Sequence, residues 1–468
     1  MRNLVVTLIF GLSILFIYGC DEMSPVTSDQ ELLNRNADAS SASVHQAARH
    51  ATGGFEVWAV DQSNSAGLDH GGAIHIFEGA GLMGESASEK EPLEVVDLAE
   101  ATTELCQSST GADPIRPHML LFNSANTHAI LSFVVSGHVV IYDAESREPL
   151  DCIRMSEGAG GAIQAHAAFP SPDDSYILVA NQNGKLMERI DTDYAANSFF
   201  HNTDATLDLA VGQTPNGEDR EDPELRPDNA PICPIIDSSS KYGFVTLRGG
   251  GLFVVDATET PMEIVAEYDK DHVVGNGCGG IEAGGSMFIN SGGGTQANLF
   301  TFDLYRFPLE GYDPGNPPNT PEREVVASLD GERDSHGIAV TRHERNLWVL
   351  DRMANSVEVF EVASGDHVNT IDLTGPLTMN PSPDLAAVSP SGNRVFVSLR
   401  GLNPLSGDPH VAEGDSPGIG VLQVTGNGQS GALKTVVPIS NMVEENGEMI
   451  ERADIHGIAV RLVRHVSP

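Results

Sequence analysis

From Phe55 onward the hydrophobic positions come in short runs, many of them alternating with polar residues, with Gly and Pro marking turn after turn. That rhythm predicts many short strands joined by tight turns, with almost no long helix. One stretch shows the unit. Asp334-Ser-His-Gly-Ile-Ala-Val340 is followed by Leu347-Trp-Val-Leu-Asp351, Ser356-Val-Glu-Val-Phe-Glu-Val362 and His367-Val-Asn-Thr-Ile-Asp-Leu373. Four strands in about 40 residues is the size of one propeller blade. Asp454-Ile-His-Gly-Ile-Ala-Val460 repeats the opening strand, and His118-Met-Leu-Leu-Phe, His166-Ala-Ala-Phe, Cys233-Pro-Ile-Ile, Cys278-Gly-Gly-Ile and Asp384-Leu-Ala-Ala-Val open comparable units. The expected fold is therefore all-β, a seven-bladed β-propeller over residues 55–468. The last copy stops at Pro468 soon after its first strand, while Glu56–Asp61, Ala73–Phe77 and Leu93–Asp97 supply three more. Closure by one C-terminal plus three N-terminal strands in a single sheet would leave the ring no open edge.

Residues 1–19 read differently. Arg2 precedes an apolar stretch, Leu4 to Ile17, that suits a signal peptide and is short for a membrane span. Ile17-Tyr18-Gly19-Cys20 resembles the lipobox of bacterial lipoproteins, which implies a lipid on Cys20; an ordinary cleaved signal with a free product is the plainer alternative. Residues 20–54, poor in large apolar side chains, suit a flexible tether. The expected location is periplasmic or otherwise extracytoplasmic, touching a membrane through the lipid anchor only. A formal charge of −40 over 468 residues argues against nucleic acid as a partner, since phosphate contacts need a basic surface.

The first strand of a blade lines the central channel, so one register of those strands forms a ring. Here that ring reads His118, His166, Cys233, Cys278, His336, Asp384 and His456, every one a potential metal ligand. His336, Asp384, His456, His118 and His166 are consecutive around it. Imidazole with carboxylate suits zinc, and imidazole also suits copper, nickel or iron. Asp334 and Asp454, each two residues before a His, are candidates for outer carboxylates or extra ligands. A polar, water-filled channel is the plain alternative. Four cysteines remain beside Cys20, an even number in an oxidising compartment. Cys106 with Cys152 would staple one blade; Cys233 and Cys278, on neighbouring inner strands, are open to a bridge or to service as metal thiolates. Loops at the channel mouth carry His70 beside Asp69, and His410 with Asp408 and Glu413; the tether adds His45 and His50. These are accessory metal candidates or simply solvated histidines. Gly414-Asp-Ser-Pro-Gly418 has hydrolase spacing but lies in a proline-bearing loop, without the strand-to-helix turn that exposes a nucleophile.

With those residues in view, the chain resembles the periplasmic zinc-chaperone propellers (AztD-like) that hand zinc to the solute-binding protein of an ABC transporter. The likeness is clearest in Arg116-Pro-His118, Ala165-His-Ala-Ala-Phe169, Asn181-Gln-Asn-Gly-Lys185, Asn229-Ala-Pro-Ile-Cys233, Asn276-Gly-Cys-Gly-Gly280 and the paired Asp-x-His-Gly segments. The resemblance implies zinc held by His118, His166, Asp384 and His456, with His336 next, and transfer to a docked solute-binding protein by ligand exchange. This chain departs from the family in lacking a dense His run and in carrying a lipobox. A metal-dependent oxidase or lactonase, and a metal-free protein-interaction propeller, are the other two functions the residues allow.

Overall fold

The computed structural model describes residues 54–275, 277–292, 301–404 and 413–463. The expectations placed on Cys20, His45, His50 and His410 lie outside the described residues. Seven antiparallel sheets of four strands follow one another along the chain, and blade 3 adds a short edge strand, Leu207–Asp208. Their first strands are Ile455–Leu462 in blade 1, Pro117–Phe122 in blade 2, Ala165–Pro170 in blade 3, Pro231–Ile236 in blade 4, Gly280–Ala283 in blade 5, Ser335–Val340 in blade 6 and Pro383–Val388 in blade 7. Blade 1 completes itself with Phe55–Asp61, Ala73–Glu78 and Glu94–Asp97, so one C-terminal and three N-terminal strands close the ring. The first strand of each blade packs against its neighbours, and between blades 4 and 5 the Cys233–Cys278 disulfide makes the connection.

Second strands are buried on both faces because each sheet is covered by a blade on either side. Asn346–Asp351 and Tyr176–Asn181 are buried at every position, which explains why they read as unbroken apolar runs. Trp58 and Trp348 occupy matching places in two such strands, opposite Ala459 and Ala339. Both are fully buried, and their indole N–H groups donate to Glu56 Oε2 at 2.8 Å and to the Gly428 carbonyl at 2.7 Å.

In six blades the pairing between first and second strands shifts register at the channel residue: around His118, His166, Cys233, His336, Asp384 and His456. A bulge at this point re-aims a side chain that regular pleating would direct into a sheet face. The glycine after three of the ring residues lets neighbouring first strands meet backbone to backbone. A Cβ on Gly279, Gly337 or Gly457 would stand 1.9, 2.4 or 2.7 Å from the carbonyl oxygen of His336, Asp384 or His118 in the next blade.

One α-helix, Leu98–Thr110, lies between blades 1 and 2, where the sequence rhythm gave no expectation of one. Its ends explain it: Asp97 accepts from the Ala99 and Glu100 amides, and Gly111 at φ 74° ends it in the left-handed conformation. Cys106 on this helix is bridged to Cys152 on the outermost strand of blade 2. Among the described residues no helix is long and apolar enough to cross a membrane.

Candidate metal centre

Four channel histidines lie in sequence around the ring, with centroids 5.5 Å apart for His336 and His456, 3.7 Å for His456 and His118, and 4.7 Å for His118 and His166. In three of them Nδ1 is held by an acceptor. His166 Nδ1 donates to the Ile232 carbonyl at 2.9 Å, and His456 Nδ1 to Asp384 Oδ2 at 2.5 Å. The third case follows from its neighbour. Gln62 Nε2 donates to Asp454 Oδ2 at 2.8 Å, so its Oε1 faces His118 Nδ1 at 3.2 Å and that nitrogen carries the proton. In a neutral ring so held, Nε2 keeps the lone pair. The His456 Nε2 is buried without a hydrogen-bond partner. His336 Nδ1 stands 3.0 Å from Asp384 Oδ1 but off the hydrogen-bonding line. Burial, reinforced by the other imidazoles, holds His118 well below the usual histidine range; burial and Arg352 do the same for His336. Both rings are neutral at physiological pH.

Behind the imidazoles runs a buried chain of alternating charge. Arg352 bonds Asp334 through Nε at 2.8 Å and Nη2 at 3.0 Å, and reaches Asp384 Oδ1 with Nη1 at 3.1 Å. Arg400 bonds Asp384 Oδ2 at 2.9 Å and grips Asp454 through Nε at 2.7 Å and Nη2 at 2.8 Å. Burial alone would raise the Asp384 carboxyl; His456, Arg400 and Arg352 overcome it and hold the group ionised, well below the ordinary carboxylate range. Both Asp384 oxygens are thus engaged, Oδ1 by Arg352 and Oδ2 by Arg400 and His456, so this carboxylate orients His456 rather than standing in the ring as a free donor. Asp334 and Asp454 likewise face arginines.

Arg352, Arg400 and Gln62, which bond the ring residues Asp384 and His118, carry no expectation from the sequence. All three directly follow the second strand of a blade, in Leu350-Asp-Arg352, Leu399-Arg-Gly401 and Val60-Asp-Gln62. The signal was present in the repeated Leu-Arg-Gly of 247–249 and 399–401.

The remainder of the ring has different chemistry. Cys233 and Cys278 are disulfide-bonded, and each sulfur lies 3.9 Å from Met119 Sδ. His70, in the loop between the first two N-terminal strands, meets Asp69 Oδ1 at 3.2 Å with that carboxylate fully exposed, apart from the ring cluster.

No family model matches the chain, and no curated protein matches it. Solved structures do. A provisionally assigned 6-phosphogluconolactonase from Bacteroides fragilis superposes with a TM-score of 0.53 at 13% identity, covering 87% of this chain and 98% of that one. The periplasmic gluconolactonase of Pseudomonas aeruginosa gives 0.52 at 14% identity, over 85% and 99%. The shared feature is the fold. At this level of identity the likeness extends to the seven-bladed ring and not to the residues within it.

Proposed function

We propose that this propeller is an extracytoplasmic metal carrier that takes zinc as cargo at the imidazoles of His118, His166 and His456, with His336 beside them, by turning together ring nitrogens that do not yet all lie within 4.8 Å of one another, and passes it to the solute-binding protein of a metal ABC transporter. The observation that supports this most directly is the tying of Nδ1 in three clustered imidazoles. A carboxylate, a carbonyl or an amide oxygen behind each ring fixes the tautomer that a metal ligand needs. The chain of Asp334, Asp384 and Asp454 against Arg352 and Arg400 has three carboxylates to two guanidiniums, and Asp61, which accepts from the Asp454 amide, and Arg116, which feels the charges of Asp454 and Arg400, add one charge of each sign. A cation held by the imidazoles therefore faces a net negative wall. Nitrogen donors favour zinc or copper over magnesium and calcium. The mechanism is ligand exchange: His118 and His336, held neutral, need lose no proton to take part in capture, and a docked acceptor supplies replacement ligands one at a time. Two disulfides are consistent with an oxidising compartment, and the lipobox at Cys20 would keep the carrier at the membrane surface.

The test is metal analysis of untagged protein with zinc competition. One equivalent per chain is expected, and His118→Ala with His456→Ala should abolish tight binding while the thermal unfolding midpoint stays near that of the parent. Unchanged affinity in the double variant would remove the assignment.

One observation favours a second reading. His456 Nδ1 is held by an ionised Asp384 and its Nε2 is free, which is the arrangement of a general base. Both superposed structures named above carry lactonase descriptions. In this reading His456 takes a proton from water, the oxygen attacks a lactone carbonyl, and the ring C–O bond opens to a hydroxy acid. Turnover of gluconolactone by metal-depleted protein, lost in His456→Ala, would establish it in place of the carrier.

A further inference from the structure

Next along the ring from the imidazoles stands a sulfur cluster that the zinc reading does not use. A ring nitrogen of His166, Cys233 Sγ and Cys278 Sγ all lie within 4.8 Å of one another. Met119, the residue after His118, points its thioether into the same place, with Sδ at 3.9 Å from both cysteine sulfurs. Cys233, Cys278 and Met119 are 0%, 5% and 6% exposed, so the cluster is shielded on the apolar side by the core around Ile232, Ile235 and Met287. His166, half-buried, is the member that also belongs to the imidazole arc. Methionine in an apolar core is ordinary packing. A thioether equidistant from two cysteine sulfurs, with an imidazole beside them, is a complete set of soft donors.

We propose that opening the Cys233–Cys278 disulfide turns this cluster into a site for monovalent copper, with Cys233, Cys278, Met119 and His166 as the donors. The opening step is a two-electron exchange with a dithiol: the Sγ–Sγ bond breaks, both cysteines become thiols with the two protons the dithiol gives up, and the dithiol closes to its own disulfide. Copper then displaces the thiol protons to solvent. Thiolates and a thioether are soft donors and select copper(I); zinc gains nothing from the thioether. In the bridged state the sulfurs cannot act as thiolates and His166 stays with the other imidazoles. In the opened state His166 is drawn to the sulfur side, so the redox state of one bond decides which metal the ring prefers.

The site does not depend on the zinc reading, because the two share His166 alone. The experiment uses the full untagged chain. Protein reduced anaerobically with dithiothreitol and desalted is titrated with copper(I) against bicinchoninate, in parallel with the unreduced protein, and opened thiols are located by alkylation and peptide mass mapping. The reduced form is expected to take one equivalent at least 100-fold more tightly than the bridged form. Met119→Leu should weaken copper(I) at least tenfold and leave zinc unchanged, and Cys233→Ser with Cys278→Ser should remove the gain. Cys106→Ser with Cys152→Ser should keep it, and so should His118→Ala with His456→Ala, the variant that removes the zinc site. The proposal is overturned if dithiothreitol leaves the 233–278 bridge closed in the folded protein. Copper(I) binding that is no tighter with both thiols mapped as free, or that persists in the double serine variant, overturns it equally.

Discussion

His336 through His166 and Cys233 occupy equivalent places on the first strands of successive blades, with Cys278 two residues before its own, yet one stretch of the ring is built of charge and the other of sulfur. The difference begins one strand further out. In blades 6 and 7 the residue after the second strand is an arginine that turns inward to Asp384, whereas Arg248, at the same place in blade 4, turns to Asp228 at 2.7 Å and Asn183 at 3.0 Å. Blades 4 and 5 then satisfy the inner backbone with short neutral groups, Thr246 Oγ1 on the Gly277 carbonyl and the Asn290 amide on that of His336. A fold that repeats its backbone seven times can thus hold two unlike environments on one circle. What the ring residues can do depends on the side chains behind them.

The largest effect should come from removing the residue on which the charged stretch converges. Asp384→Asn leaves two buried guanidiniums short of a shared carboxylate, and breaking a buried pair in this way costs about 3–5 kcal/mol. On the sulfur side, Cys233→Ser with Cys278→Ser removes a crosslink whose loss typically costs about 2–4 kcal/mol. Urea unfolding of the two variants gives the comparison directly. A smaller loss for Asp384→Asn than for the double serine variant would mean that the alternating chain contributes specificity to the ring and little to its stability.

Next in size is the effect of loosening one imidazole without touching it. Gln62→Leu keeps the bulk and deletes the acceptor on His118 Nδ1, so the ring is free to exchange tautomers and rotate. Loss of such an outer partner lowers metal affinity about 10- to 100-fold. Zinc competition should show that fall with Gln62→Leu and none with Met119→Leu, which touches the other stretch.

Much of this architecture is legible in the chain. The repeated His-Gly-Ile-Ala-Val and the short apolar runs are direct products of blade geometry, and the split closure follows from a last copy that ends after one strand. The converging register was legible for the same reason, since one position of each first strand must face the axis. What pattern reading did not reach were side chains that act across blades. Arg352, Arg400 and Gln62 lie at strand ends, where periodicity stops carrying information, and only the folded ring brings Gln62 to His118 and Asp454. The helix Leu98–Thr110 was missed because its Asp97 cap doubles as the end of a strand.

The smallest effect tests where the charged stretch ends. Asp61 is 1% exposed, and its Oδ1 accepts from the Ser63 amide at 3.0 Å, the Ser63 hydroxyl at 2.7 Å and the Asp454 amide at 2.9 Å. Burial outweighs these bonds and pushes its carboxyl up to about 6. A carboxyl raised on folding holds its proton more tightly in the folded state, so the native protein loses stability as pH rises from the unfolded value of 3.8 to about 6, and the loss is complete above that. Asp61→Asn keeps an Oδ1 acceptor for all three bonds and removes the buried charge. The shift corresponds to at most about 3 kcal/mol, and the weaker acceptor reduces the expected gain to about 1–2 kcal/mol at about pH 7, with none at about pH 4. Urea midpoints of parent and variant across that range decide it: a gap that opens with pH ends the charged chain at Asp454, whereas a variant destabilised at neutral pH would make the Asp61 charge a working member of it.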